Sequence, residues 1–195
     1  MNIVKAGNAA FAKSTRIVSY LTPEEVKALE DAVSGNRKAE RDALLIQVLF
    51  QTGLRISELL SLTPQSMQHF EGSTVISVIG KGHKPRQVAC PEDLSHRIKS
   101  YCYDHEIEVK DRIFSINRKR AWKILSEAGK AAGLNKDIWP HLLRHSNAVE
   151  SLRQHGNPRA LQDHLGHSTV SMSMRYLSTL TTEDSLRIQG KVKFD

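Results

Sequence analysis

The sequence predicts a mostly α-helical domain carrying one small antiparallel β-sheet. Three observations lead there. Apolar residues recur at helical spacing from about residue 22 to 62, strand-like alternation replaces it between about 67 and 89, and helical spacing returns from about 92 to 178. Glycines fall at the ends of the helical runs, where a helix stops. At 195 residues the chain suits one domain, large enough to bury a core without disulfides. Its expected organisation is an arm or linker over 1–19, a folded domain over 20–180 and a tail over 181–195.

The arm lacks periodicity. Thr22-Pro23-Glu24-Glu25 then supplies an N-cap, a proline at the first helical position and acidic residues in the first turn. Val26, Leu29 and Val33 continue one apolar face until Gly35. A second helix runs over about 37–51, with Leu44, Leu45, Val48 and Leu49 inside it and Gly53 as its C-cap. Arg55 to Leu62 reads as a short helix closed by Thr63-Pro64. Val75, Ile76, Val78 and Ile79 are β-formers, Gly80-Lys81-Gly82-His83 is a turn, and Arg86-Gln87-Val88-Ala89 returns, which makes a small sheet with a glycine-rich hairpin tip. Beyond Pro91 the pattern predicts helices over about 92–103, 118–132, 142–155, 158–165 and 170–178. There is no internal repeat and no low-complexity tract.

Charge narrows the function. Lys and Arg number 28 against 21 Asp and Glu, a net +7. A basic domain favours polyanions, because each phosphate it neutralises releases counterions. Cys90 and Cys102 are too few for a disulfide framework, and no secretory signal precedes them. No apolar run approaches the roughly 20 residues of a membrane span.

Four short stretches carry chemistry. Arg55 follows a glycine turn at a helix start, where a guanidinium can bond two oxygens of a bound anion; Glu58, three residues on, can orient it across one helical turn. His141 and Arg144 stand at i and i+3, so both project from one helix face, and Arg144 would add a second bidentate clamp. Imidazole titrates near neutrality, so His141 can exchange a proton with an attacking or leaving oxygen. His145 reads as a packing or supporting residue, and His164 as a solvated helix histidine. His141 and His145 also have the i, i+4 spacing of a zinc-binding helix, with His164 or His167 as a third ligand. Leu142 stands where that motif needs a glutamate base, so no metal site is expected. His83, Lys84 and Arg86, on the hairpin, read as contacts to a DNA backbone. Tyr176 alone would be a half-buried core tyrosine.

In order, Thr52-Gly53-Leu54-Arg55-Ile56-Ser57-Glu58-Leu59, Gly80-Lys81-Gly82, His141-Leu142-Leu143-Arg144-His145 and Leu165-Gly166-His167 with Tyr176 resemble the catalytic domain of the tyrosine recombinases, the phage integrase family. The resemblance spans about 20–180 and carries all six of Arg55, Lys81, His141, Arg144, His167 and Tyr176. It implies that Tyr176 attacks a DNA phosphate to form a 3′-phosphotyrosyl link, that Lys81 protonates the departing 5′ oxygen, and that His167 donates a hydrogen bond to the phosphate. No cofactor, metal or ATP is implied, since the bond energy is kept in the covalent intermediate. Double-stranded DNA is the implied partner, with a homo-tetramer on DNA, a monomer when free, accessory DNA-bending proteins, no membrane, and a cytoplasmic setting in a bacterium or phage. Most family members have a separate helical domain ahead of the catalytic one. The short arm therefore implies either an excised catalytic domain or the short type, such as the invertases that flip fimbrial promoters. The tail would pack on a neighbouring protomer. Two alternatives are a type IB topoisomerase-like nicking-closing enzyme and a DNA-binding regulator with a vestigial site.

Overall fold

The computed structural model describes residues 19–35, 38–80, 82, 84–166, 174, 176 and 178–182. The arm before residue 19, the tail beyond residue 182, and Lys81, His83 and His167 lie outside the described residues. Helix α1 (Pro23–Val33) opens on a capping box: the Thr22 hydroxyl accepts from the Glu25 amide at 3.3 Å, and the Glu25 carboxylate accepts from the Thr22 amide at 2.9 Å. Its Val26, Leu29 and Val33 are buried, as their spacing requires. Helix α2 (Ala39–Thr52) runs through the middle, with Leu44, Leu45, Ile46, Val48 and Leu49 all buried. A helix apolar on so many sides must be surrounded, and α2 packs against α1, the sheet and two later helices.

Helix α3 is shorter than the expected 55–62. It spans Ile56–Leu59, and the Ser61 and Leu62 amides close on the Glu58 and Leu59 carbonyls in tighter turns at 3.1 Å each. Pro64 does not end a helix; it opens a 3₁₀ turn, Pro64–Ser66. The sheet has three antiparallel strands in the order β1 (Met67–Phe70), β2 (Ser73–Ile79), β3 (Pro85–Cys90). The first strand had no alternating signature because Gln68, His69 and Phe70 are all exposed. In β2 and β3 the pleat sends Ile76, Val78, Val88 and Cys90 into the core. Ile79 pairs with Pro85, so the hairpin tip lies between them.

Four helices follow: α4 (Glu92–Asp104), α5 (Arg118–Ala131), α6 (Pro140–His155) and α7 (Pro158–Leu165). Helix α6 begins two residues earlier than expected, with Pro140 at its first turn, where a missing amide proton costs nothing. Residues 174, 176 and 178–182 are helical as well. The main core gathers α1, α2, α4, α5, the start of α6 and the inner face of the sheet. A second cluster of Ala148, Val149, Leu152, Leu161 and Leu165 seats Tyr176. No helix among the described residues is long and apolar enough to cross a membrane.

Candidate active site

Three segments distant in sequence meet where α2 ends. Gly53 adopts a left-handed conformation (φ +61°) and turns its carbonyl toward α6. A Cβ there would stand 2.6 Å from the Asn147 Oδ1, so both the backbone conformation and the close approach of α6 require glycine. Arg55 caps α3. The Glu58 carboxylate accepts from the Arg55 amide at 2.7 Å and from its guanidinium at 2.8 Å. That same carboxylate accepts from Arg86 on β3 at 2.8 Å. Glu58 is only 3% exposed. Burial alone would raise its carboxyl, but the Arg55 amide and the two guanidinium groups outweigh that and hold it below the usual range.

Arg144 comes from α6, four residues into the helix, and is 4% exposed. It donates to the carbonyls of Gly53 and Leu165, the latter at 2.5 Å. Burial, then the neighbouring Arg55 and Arg86, pull its guanidinium down to about 10, which still leaves it charged at neutral pH. Arg55 reaches the same corner from the other side, donating to the Gly166 carbonyl at 3.2 Å. Arg55 and Arg86 both pair with the Glu58 carboxylate, and Arg144 adds a third guanidinium within electrostatic reach, a local excess of two positive charges. Cations so placed are costly unless paired, and a phosphate supplies the charge they lack.

His141 stands exposed at the first turn of α6. Partial desolvation, then Arg144 and Arg55, lower its imidazole below the ordinary value, which favours the neutral form. His145, one turn on, stacks beside it with ring centroids 6.2 Å apart. Its Nδ1 lies 2.5 Å from the hydroxyl of Tyr176, which is 6% exposed. Spacing along α6 gave no sign of this, because the partner lies 31 residues away. Among the described residues no group of three His, Cys, Asp or Glu side chains is gathered for a metal ion.

Two expectations are corrected. Arg86 does not face outward as a DNA contact: its side chain is 11% exposed and its guanidinium is spent on Glu58 and the His164 carbonyl. Alternation along β3 explains this, since Arg86 shares the inner face with Val88 and Cys90. His164 is not a solvated helix histidine either. Burial, then Arg86 and Arg144, hold it down to about 4, with the Thr52 backbone beside it. Lys84 stays exposed at the hairpin. Sequence reasoning missed the exposed basic face of Arg118, Lys119, Arg120 and Lys123 at the start of α5. A cavity of about 660 Å³ lies on the far side of Asn147 and His164, against the sheet, and its lining includes none of Arg55, Arg86, Arg144 or Tyr176. The converging cations, not that hollow, mark the site.

A helical domain with one small sheet thus sets an arginine cage beside a histidine-bonded tyrosine, groups suited to holding an anion such as phosphate. The chain belongs to the phage integrase family, which it matches over residues 19–183. It is 34% identical over 181 residues to tyrosine recombinase XerA of Thermococcus kodakarensis, covering 89% of this chain and 62% of that protein. It is also 34% identical over 190 residues to tyrosine recombinase XerD of Corynebacterium glutamicum, covering 90% and 61%. The chain thus spans about three-fifths of the length of these relatives. Among solved structures, the XerA recombinase superposes with a TM-score of 0.71 at 27% identity, over 92% of this chain and 67% of that one. The XerH recombinase bound to its difH substrate before cleavage superposes at 0.72 and 23% identity, over 83% and 50%; at that identity the likeness shows the fold.

Proposed function

We propose that the chain is a site-specific DNA recombinase that cleaves and rejoins strands through a phosphotyrosyl intermediate. The observation that carries this is the pairing of Arg55 and Arg86 with the single carboxylate of Glu58 and the approach of the Arg144 guanidinium to the same corner, with Tyr176 held by the next turn of α6. Family membership and the named recombinases among its relatives support the same reading. Arg55 and Arg144 grip the non-bridging oxygens of the scissile phosphate. Their charge matters most in the pentacoordinate transition state, where negative charge builds up. Glu58 and Arg86 fix the height and direction of Arg55. His141, exposed and favouring its neutral form, hydrogen-bonds the phosphate and exchanges protons with its oxygens. Lys81 and His167 complete the set in the roles the family pattern implies: Lys81 protonates the departing 5′ oxygen and His167 donates to the phosphate.

Tyr176 attacks phosphorus, its oxygen replaces the 5′ oxygen, and a 3′-phosphotyrosyl link forms. The freed 5′ hydroxyl, or one from a partner strand, attacks that link and restores the backbone. Guanidinium groups stand where many phosphoryl-transfer enzymes use Mg²⁺, so no metal or ATP enters the cycle. Double-stranded DNA is the substrate, bound by a tetramer that forms on it, with accessory DNA-bending proteins where geometry demands them. The α5 face of Arg118, Lys119, Arg120 and Lys123, together with Lys84, supplies contacts to the DNA backbone. The test is a supercoiled plasmid carrying two copies of a site from the protein's genetic neighbourhood, incubated in EDTA. Exchanged products that disappear in Tyr176→Phe are expected. Relaxation without exchange would make the protein a nicking-closing enzyme instead.

A further inference from the structure

We propose that His145 is the proton acceptor for Tyr176: its Nδ1 holds the phenolic hydroxyl before cleavage and takes the proton as the tyrosine oxygen attacks phosphorus. The assignment rests on Tyr176 being the nucleophile, as read above. Geometry carries it. The Nδ1–Oη separation is 2.5 Å, and the two rings sit 5.5 Å apart at 49°, so an imidazole nitrogen faces the phenol oxygen end-on. Helix α6 fixes one partner, and the small apolar cluster seats the other. Tyrosine at its ordinary pKa of about 10 is a poor nucleophile without such a base.

The surroundings explain why the pair stays quiet without substrate. Burial first, then His141 and Arg144 on the same helix, hold the His145 imidazole down to about 4. It is therefore neutral, with one ring nitrogen able to accept, and too weak a base to ionise a phenol in the free protein. Arg55 bears on both His141 and Arg144, and Tyr176 faces His145 from the last helical segment. A scissile phosphate in this cage brings negative charge beside Arg144, one of the groups that depress His145. The imidazolium then becomes easier to form at the moment it is needed. In the step itself the Tyr176 O–H bond breaks and its proton goes to Nδ1. The Tyr176 O–P bond forms, the P–O5′ bond breaks, and the 5′ oxygen leaves with a proton from Lys81. Rejoining runs the same transfers backward, the imidazolium returning its proton to the departing phenolate.

Single-turnover cleavage of nicked suicide duplexes tests the assignment with His145→Asn, which keeps an oxygen near the Nδ1 position but cannot take a proton. Binding should persist while adduct formation slows by about 100-fold or more. Replacing Tyr176 by 3,5-difluorotyrosine, whose phenol is more acidic, should restore much of that loss in His145→Asn. A duplex with sulfur in place of the bridging 5′ oxygen, which needs no proton to leave, should rescue Lys81→Ala but not His145→Asn. Wild-type rates in His145→Asn, or rescue by sulfur and not by fluorine, would overturn the proposal. Should His145→Asn not fold, ¹⁵N NMR of the wild-type protein decides it: an unprotonated Nδ1 supports the proposal, and a protonated one overturns it. Adducts that survive Tyr176→Phe would overturn the nucleophile instead. Loss in Tyr176→Phe with unchanged His145→Asn would overturn His145 alone.

Discussion

In the proposed reaction Arg144 serves the chemistry and the fold at once. Its guanidinium ties the Gly53 carbonyl to the Leu165 carbonyl, so it joins the end of α2 to the end of α7. Arg144→Ala should therefore cut cleavage by about 10²–10³ through lost transition-state stabilisation. It should also lower unfolding stability by roughly 1–3 kcal/mol, because two inward carbonyls lose their donor. Single-turnover rates and urea titrations on one preparation separate the two effects. Glu58 gives a pH signature. Its folded pKa lies below the unfolded value, so its contribution is fully present above that value and is lost as pH falls through the folded pKa. His145 and His164 act over a higher range. Each is held to about 4 in the fold against an ordinary 6.5, so the unfolded chain binds the extra proton between those values and stability falls as pH drops from 6.5 toward 4. Denaturation midpoints of His164→Gln against wild type should show a shallower loss across that range. A parallel pair of curves would contradict the half-buried, neutral state of His164.

At the scale of elements, the site depends on where helices stop. Gly53 and Gly166 both end helices in the left-handed region, but their neighbours differ. A Cβ at 53 meets the Asn147 amide at 2.6 Å and Leu165 at 2.7 Å on packed helices, whereas one at 166 meets the Arg86 side chain at the wider 2.9 Å. Gly53→Ala should cost about 1–3 kcal/mol and disturb cleavage, with Gly166→Ala milder in stability; thermal melts and adduct yields compare them directly. Helix positions were legible because caps and apolar spacing are local signals: Thr22 with Glu25, and Val26, Leu29 and Val33, mark α1 without help from the rest of the chain. Strand β1 was not, since its side chains are mostly exposed and only pairing with β2 defines it. The i, i+3 pair of His141 and Arg144 was equally readable from one helix. Alternation along β3 puts Arg86 on the inner face, but its bond to Glu58 and the reach of His145 to Tyr176 are tertiary contacts 28 and 31 residues long, which no local pattern encodes.

For the whole molecule, the proposed DNA substrate would meet both the site and a net charge of +7. Affinity for duplex DNA should fall steeply and linearly on a log–log plot of binding constant against salt, each phosphate contact contributing about −0.9 to the slope. Removing Lys119 and Lys123 from the α5 face should flatten that slope by up to about 2 while leaving the cleavage rate of bound DNA unchanged. Because the chain spans about three-fifths of its relatives' length, bound-state rates are the fair comparison. The most direct test of the central claim is the covalent adduct. The protein is mixed in EDTA with a nicked duplex from its genetic neighbourhood, quenched in SDS, and the linked peptide is identified by mass spectrometry. The account predicts DNA attached through Tyr176 and no adduct in Tyr176→Phe. Attachment through another residue, or cleavage that requires added Mg²⁺, would contradict it.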